Sequence, residues 1–173
     1  AGAWRVCRAE RGELSPVSEP ASEPRRPFPV TVAFAIPKHD RPEWIAQKLT
    51  ELGVDRIVVL HAERSVVRWD ADRAERHLHK LRRVAIEALQ QSRGVWLPEI
   101  SGPVWAADLL PDAVVAEPGG RPVATADRVV AIGPEGGWTE GEIAAARDTV
   151  SLGATVLRVE TAALVAGIQL VRV

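Results

Sequence analysis

The chain has 173 residues, 46% of them hydrophobic, and a formal net charge of −1. This length and composition predict one globular domain, with room for a remnant of a second. No apolar run approaches the roughly 20 residues that span a bilayer, and the first residues lack the basic start and apolar core of a signal peptide. We therefore expect a soluble, cytoplasmic protein without a membrane partner.

The content of cysteine and methionine further limits the classes of protein to which the chain can belong. Cys7 is the only cysteine, so an internal disulfide is excluded and a cysteine-based metal site is not expected. The sequence contains no methionine, and we expect it to be a fragment or a processed chain. The net charge does not predict a nucleic-acid-binding protein, although RNA binding needs only a local basic surface.

The first third of the chain predicts an N-terminal strand, a linker and the start of an α/β domain. One short strand is expected before residue 15, and residues 15–29 are rich in proline, which is typical of a linker or an extended loop. Residues 30–36 predict a strand. The next helix would begin at Asp40 and end at Gly53, before a buried strand at 56–60.

A long helix predicted at 71–92 has an apolar side and a basic side. The basic stripe consists of Arg73, Arg76, His77, Lys80, Arg82 and Arg83. Such a stripe usually marks a solvated face, and an RNA-binding surface is the more specific interpretation. Downstream we expect an edge segment at 96–100, a short helix at 104–110, and a buried strand at 113–117 that ends at 118–120.

The most informative stretch begins with the next strand. The apolar run at 129–132 predicts a strand buried on both faces, and it leads directly into the Gly-rich loop 133–137. Thr139 and Glu142 have the spacing of a capping box and predict a helix that ends at 151–153.

Two more elements complete the predicted domain, a strand at 154–157 and a helix from Glu160 to about Val171. In open α/β sheets, ligands bind on the loops that follow the carboxyl ends of strands. The Gly-rich loop is such a loop, but taken alone it is also an ordinary tight turn. It lacks the GxGxxG spacing of a dinucleotide fold and the Lys-Ser/Thr pair of a P-loop.

Several segments together resemble the landmarks of a known family. They are IGPEGGWTEGE at 132–142 followed by LGATVLRVETA at 152–162, QKLTELGVDRI at 47–57, ERSV at 63–66, and EALQQSR at 87–93. In type and order they resemble the SPOUT methyltransferases that modify N3 of uridine in 16S ribosomal RNA. The resemblance covers residues 30–173.

The resemblance implies an architecture and a set of partners. It implies an α/β fold with a SPOUT-type parallel sheet and a C-terminal deep trefoil knot, formed by residues 30–173. Residues 1–29 would be the truncated tail of a small PUA-like β-barrel that binds RNA, together with the Pro-rich linker. Relatives of this type use S-adenosyl-L-methionine, work as homodimers and act on 16S ribosomal RNA or the small ribosomal subunit.

The residues and the resemblance together define candidate site residues. The expected cofactor-binding residues are Glu117, Ile132, Gly133, Gly136, Gly137, Leu152, Gly153, Leu157, Thr161 and Ala162. For catalysis we rank Arg158 first, as the group that stabilises a developing uracil oxyanion, then Glu160 and Glu135 as candidate bases. The expected RNA-binding residues are Lys48, Arg64, Arg68 and Arg93, although Arg64 could equally form a surface ion pair.

Two other functions stay open at this point. The main alternative is a non-catalytic α/β RNA-binding or ribosome-assembly factor. An enzyme that uses the Gly-rich loop to hold a nucleotide phosphate is a weaker alternative, because no nearby Lys or Asp would bind the phosphate or magnesium.

Overall fold

The computed structural model describes residues 2–38 and 41–172. Its first part holds four short strands: β1 (Ala3–Trp4) pairs with β4 (Ala21–Ser22), and β2 (Cys7–Glu10) pairs with β3 (Glu13–Pro16), both antiparallel. The prediction of a single strand before residue 15 was therefore wrong, because β1, β2 and the start of β3 lie there. The segment predicted as a linker also contains β4 and the end of β3.

A six-stranded sheet follows. Its strands are β5 (Thr31–Ala35), β6 (Arg56–His61), β7 (Glu99–Trp105), β8 (Val114–Pro122), β9 (Val129–Ile132) and β10 (Asp148–Ser151). They lie in the order β10-β8-β9-β5-β6-β7, and every neighbouring pair is parallel. The predicted α/β class with a parallel sheet is confirmed.

Helices cover both faces of this sheet. They are α1 (Arg41–Glu51), α2 (Ala71–Ser92), α3 (Ala106–Leu109) with a 3₁₀ turn at Leu110–Asp112, α4 (Glu140–Ala145) and α5 (Val159–Val171). In β5, Val32 and Phe34 pack with α1, α2 and α5, whereas Ala33 and Ala35 pack on the side of α3. All four are fully buried, as expected for a parallel strand between two helical layers.

The two long predicted helices on the first face are confirmed. α2 spans the predicted residues 71–92, and Asp70 caps it by accepting a hydrogen bond from the Arg73 amide at 2.8 Å. α1 is followed by Gly53 in the left-handed region, at φ +78°. The predicted cap of α1, Asp40, lies outside the described residues. No helix among those described is both long and apolar enough to cross a membrane.

The predicted order of elements between 139 and 157 was partly wrong. The capping box is present, with Thr139 and Glu142 bonded to each other's main-chain amides, but α4 ends at Ala145. The next strand is β10, not 154–157, because Val150 is buried against β8 and residues 154–157 have no strand beside them. Ile143 and Val150 are seven positions apart, a spacing that places two residues on the same side of a single helix. The pairing of β10 with β8 overrides this local preference.

Asp127 joins the connection between β8 and β9 to the start of β10 through hydrogen bonds and ion pairs. Its carboxylate is 2% exposed and accepts hydrogen bonds from Arg121 at 2.7 and 3.0 Å and from Arg147 at 2.8 Å. The bonds from Arg121 are the main cause that keeps the pKa of Asp127 below its usual value. Arg121 also pairs with Asp148 of β10 at 2.6 Å, so this edge of the sheet is held by an ion-pair network.

Strand β8 continues beyond its predicted end at 118–120 and reaches Pro122. Only Val114 and Val115 pair with β9, so the prolines further along β8 remove no hydrogen bond on that side. The pairing between β8 and β10 shifts register between Thr149 and Val150. Gly120 permits the close approach of the two main chains at this shift.

Replacing Gly120 by alanine is expected to lower the free energy of unfolding by about 1–3 kcal/mol, the usual cost of overpacking. A Cβ atom there would lie 2.6 Å from the Val150 amide nitrogen, a main-chain atom that cannot rotate away. Urea denaturation measures the change. Gly153→Ala is the control, because a Cβ at Gly153 has no neighbour within 4 Å. An equal loss in both variants would contradict this explanation.

Candidate functional site

A cavity of about 420 Å³ lies beside the middle of β8 and the ends of β9 and β10. Three segments form its walls: the middle of β8, the Gly-rich loop after β9, and the connection from β10 to α5. The lining residues are Ala116, Glu117, Pro118, Ile132, Gly133, Pro134, Glu135, Gly137, Trp138, Ser151, Leu152, Gly153, Thr155, Val156, Leu157, Arg158, Val159 and Ala162. The site therefore lies at the carboxyl edge of a parallel sheet, where such folds bind ligands.

Most of the predicted cofactor residues lie in this wall. Glu117, Ile132, Gly133, Gly137, Leu152, Gly153, Leu157 and Ala162 line the cavity. Gly136 and Thr161 are not among the lining residues, although each is next to one in sequence. A Cβ atom at Gly136 would lie 3.2 Å from the Cβ of Arg64, so this glycine makes room for a neighbouring loop.

The Gly-rich loop is a tight turn over the indole of Trp138. The Gly137 amide donates to the Pro134 carbonyl at 2.8 Å, and Gly137 has φ +71°, a conformation that favours glycine. A Cβ atom at Gly133 would lie 2.9 Å from the indole ring. Trp138 is 4% exposed, and its indole N–H is buried with no hydrogen-bond partner among the described residues. Gly133 and Gly137 therefore contribute main chain alone to the cavity wall.

The three candidate catalytic residues occupy different positions. Arg158 lines the cavity and is exposed; its carbonyl accepts from the Ala162 amide at 2.8 Å and so starts α5. Glu135 also lines the cavity and is exposed. Glu160 is not among the lining residues, and its carboxylate pairs with Arg41 from α1. Arg158 and Glu135 therefore share the cavity, and Glu160 does not.

The loop after β6 is bonded to the Gly-rich loop. Arg64 donates to the carbonyls of Gly136 at 3.2 Å and of Trp138 at 3.0 Å. Glu142, 4% exposed, accepts from the Glu63 amide at 2.9 Å while it completes the capping box of α4. These contacts extend the site from β9 towards β6.

Trp105, His61 and Arg68, here called the Trp105 cluster, lie at the ends of β6 and β7. The rings of His61 and Trp105 meet at 69° with centroids 5.6 Å apart, and the Arg68 guanidinium lies 5.1 Å from the Trp105 ring centroid. Arg68 also donates to the Glu63 carbonyl at 3.2 Å. The cluster and the cavity therefore lie at the same edge of the sheet.

The pKa of His61 is lowered from its ordinary value of 6.5, mainly because burial disfavours the charged ring and secondly because Arg68 is nearby. The His61 Nε2 accepts a hydrogen bond from the Trp69 amide at 3.2 Å. This contact requires an unprotonated Nε2, so the folded protein holds the neutral imidazole.

Acidification from pH 7 to pH 5 is expected to destabilise the protein through His61. The folded pKa lies below the unfolded one, so the stabilisation is fully present above about pH 6.5 and is lost as the pH falls through the folded pKa. Urea denaturation across this range measures the loss. His61→Gln retains an acceptor that does not titrate, and we expect its stability to vary less with pH. Identical pH profiles for the two proteins would refute the assignment.

The predicted RNA-binding residues divide into two groups. Arg64 and Arg68 lie at the edge that bears the cavity. Lys48 is in the last turn of α1, where it pairs with Glu51 at 2.9 Å. Arg93 follows the last residue of α2, at φ +58°. Both of these helices run from the carboxyl edge of the sheet to its amino edge, so Lys48 and Arg93 lie far from the cavity.

A family model described as RNA methyltransferase domain matches residues 24–171. The match includes the whole six-stranded sheet and the cavity. The chain belongs to this RNA methyltransferase family. Within the described residues, no group of three or more His, Cys, Asp or Glu side chains could hold a metal ion.

Individual relatives support the family assignment. The chain is 36% identical to ribosomal RNA small subunit methyltransferase E of Mycobacterium tuberculosis over 165 residues, which cover 83% of this chain and 62% of the relative. It is 32% identical to the protein of the same name from Synechocystis, over 98% of this chain and 63% of the relative. The chain thus spans less than two thirds of the length of these relatives.

A solved structure shows a similar fold. It is ribosomal RNA small subunit methyltransferase E from Neisseria gonorrhoeae, bound to S-adenosylmethionine. Its TM-score with the present structure is 0.80 at 26% identity, and the match covers 96% of this chain and 77% of the other.

Sequence reasoning missed part of this candidate site. Thr155 and Val156 line the cavity, although the sequence placed them in a strand. Val156 is 84% exposed, and an exposed β-branched residue between a glycine and a buried helix could have indicated a binding loop. The Trp105 cluster was also missed, because it depends on pairing between strands that are distant in sequence.

Proposed function

We propose that this chain is the catalytic part of an S-adenosylmethionine-dependent methyltransferase that modifies N3 of a uridine in 16S ribosomal RNA. The observation that carries the proposal is the cavity between β8, the Gly-rich loop and the start of α5. Ribosomal RNA small subunit methyltransferase E of Neisseria gonorrhoeae, which has a similar fold, is bound to the same cofactor.

The cavity fits this cofactor in size and chemistry. Its 420 Å³ lies within the roughly 300–1,000 Å³ of small-molecule sites. Ile132, Leu152 and Leu157 offer aliphatic walls for a flat adenine ring, while Gly133 and Gly137 allow the loop main chain to approach its polar edge. Thr161 and Gly136 would support the site from the positions adjoining its wall.

When bound, S-adenosylmethionine supplies an electrophilic methyl group, so the protein must chiefly orient and activate the uracil. Uracil N3 is a poor nucleophile while it carries its proton. Glu135, in the cavity wall, would accept that proton. Arg158, in the wall of the same cavity, would stabilise the negative charge that develops on the uracil oxygen. Glu160 would contribute less directly to proton transfer, since its carboxylate is paired with Arg41.

RNA would approach along the edge formed by the loops after β6 and β9. Arg64 and Arg68 bind main-chain carbonyls there, and these contacts leave both positive charges available to phosphate. Lys48 and Arg93 would meet only more distant parts of a large RNA. Because the substrate is ribosomal RNA, we propose that the protein acts in the cytoplasm.

The finer architecture is also part of the proposal. We infer that α5 passes through the loops around the cavity as a deep trefoil knot. In support, the chain returns from the edge strand β10 to pack α5 against the central strand β5 and against α1. We assign residues 30–173 to the SPOUT methyltransferase domain and 1–29 to the tail of a PUA-like RNA-binding barrel with its linker.

A homodimer is proposed on the basis of α5. This helix is apolar on nearly all sides, yet Leu164, Val165 and Ile168 are only half-buried. A helix that is apolar all round is normally enclosed, and a second copy of the chain would enclose it beside the cavity. The oligomeric state in solution tests this point.

Calorimetric titration with S-adenosylmethionine tests the proposal first, with ATP and NAD as controls. We expect micromolar binding of the first ligand alone. Incubation with small ribosomal subunits or 16S ribosomal RNA should then produce N3-methyluridine, which nucleoside mass spectrometry detects. Binding of RNA without binding of the cofactor would instead favour the non-catalytic RNA-binding or assembly factor.

A further inference from the structure

The Trp105 cluster lies outside the cavity, and of its three residues only Arg68 has a part in the function proposed above. Trp105 is the last residue of β7 and is the register partner of His61 in β6. It is 49% exposed, although His61 touches its ring and Arg68 lies 5.1 Å from the ring centroid. Two neighbours thus fix the indole while almost half of it faces solvent.

The cluster is fixed relative to the cavity through the loop after β6. Arg68 donates to the Glu63 carbonyl at 3.2 Å, and the Glu63 amide donates to the buried Glu142 at 2.9 Å. Glu142 in turn caps the helix that follows the Gly-rich loop. β7 is the third strand from β9, so at about 4.8 Å per strand the two strand ends are roughly 14 Å apart.

The chemistry of the cluster suits a nucleobase. Every base has a π-face that stacks on tryptophan or on a guanidinium group, and sequence-specific RNA binding uses unpaired bases that are splayed out of the strand. The adjacent cations suit the phosphates of the same strand, since Arg64 and Arg68 bind carbonyls rather than carboxylates. An apolar protein partner would have to bury these charged groups, which is costly.

We propose that Trp105 is a stacking platform for an unpaired base of the RNA strand that carries the target uridine, with His61 and Arg68 holding the indole in place. This proposal rests on the methyltransferase function proposed above. In this role Trp105 positions the substrate and does not touch the reacting atoms. It would thereby contribute to the choice of the uridine that is methylated.

The test compares Trp105→Leu with Leu97→Ala in the full chain. Leu97 is a matched control because it is also an exposed apolar side chain, at 43%, but it precedes β7 at the opposite edge of the sheet, whereas Trp105 ends that strand. We expect Trp105→Leu to raise the KM for 16S ribosomal RNA about 5- to 150-fold, the range for loss of one stacked base, with little change in kcat. Trp105→Phe should restore most of the loss, and Leu97→Ala should have no effect.

Calorimetry with S-adenosylmethionine separates this proposal from the function on which it rests. If the unmodified chain neither binds the cofactor nor methylates RNA, the proposed function fails. If it does both and Trp105→Leu has an unchanged KM and unchanged RNA affinity, only the platform is refuted. An equal loss with leucine and with phenylalanine, or a loss of cofactor affinity, would also refute it, because either result indicates a structural role.

Discussion

Arg158→Ala is expected to lower the kcat of methyl transfer by about 10²- to 10³-fold, the usual effect of removing one donor that stabilises developing negative charge. Cofactor affinity and stability should change little. The part of Arg158 that begins α5 is its carbonyl, which accepts from the Ala162 amide at 2.8 Å, and alanine keeps this group. Single-turnover kinetics with 16S ribosomal RNA measures the effect without a contribution from product release.

Two further variants define what Arg158 contributes. Arg172→Ala removes an exposed arginine at the other end of α5 and should leave the rate unchanged. Arg158→Lys keeps the positive charge but loses the planar fork of donors, so partial activity would indicate that charge is the main contribution. A rate for Arg158→Ala equal to that of Arg172→Ala would exclude Arg158 from catalysis.

Gly133→Ala is expected to weaken the binding of S-adenosylmethionine. The added Cβ would lie 2.9 Å from the indole of Trp138, which is 4% exposed and cannot move aside easily. The loop would therefore shift into the cavity that it borders. If overpacking raises the free energy of the cofactor-binding conformation by its typical cost of about 1–3 kcal/mol, the affinity for S-adenosylmethionine decreases roughly 5- to 150-fold. Calorimetry measures this directly.

The control for Gly133→Ala is Gly141→Ala in α4. Its Cβ would approach only Thr139 Oγ1, at 3.9 Å, and alanine favours a helix. Gly136→Ala is an informative intermediate, because its Cβ would meet Arg64 at 3.2 Å rather than the cavity. Equal cofactor affinities for the Gly133 and Gly141 variants would show that the loop does not bind the cofactor as proposed.

Local patterns in the sequence predicted those elements whose own residues favour a helix, a strand or a turn. α2 was predicted over its full length, since apolar residues recur along one side. β9 and the Gly-rich loop were predicted for similar reasons, because a β-branched apolar run leads into residues that favour a turn. The structure places this loop in the cavity wall, and its role in cofactor binding stays a prediction.

Elements that depend on distant partners were not predictable in the same way. β10 has four residues and is a strand because β8 lies beside it, which no local pattern reveals. The Trp105 cluster similarly exists because β6 and β7 pair in one particular register. The ion pair of Glu160 with Arg41 joins residues 119 positions apart, so its presence could not be read from the helix start alone.

The strand order also has a consequence for synthesis of the chain. β5 pairs with β6 early, but its other neighbour is β9, and Thr31 pairs with Val129. At about 5–20 residues per second, roughly 5–20 s separate the synthesis of these two partners. Throughout this interval one edge of β5, whose five residues include four apolar ones, lacks its hydrogen-bonding partner, a condition that favours aggregation. The nascent domain is therefore expected to depend on chaperones until β9 has emerged from the ribosome.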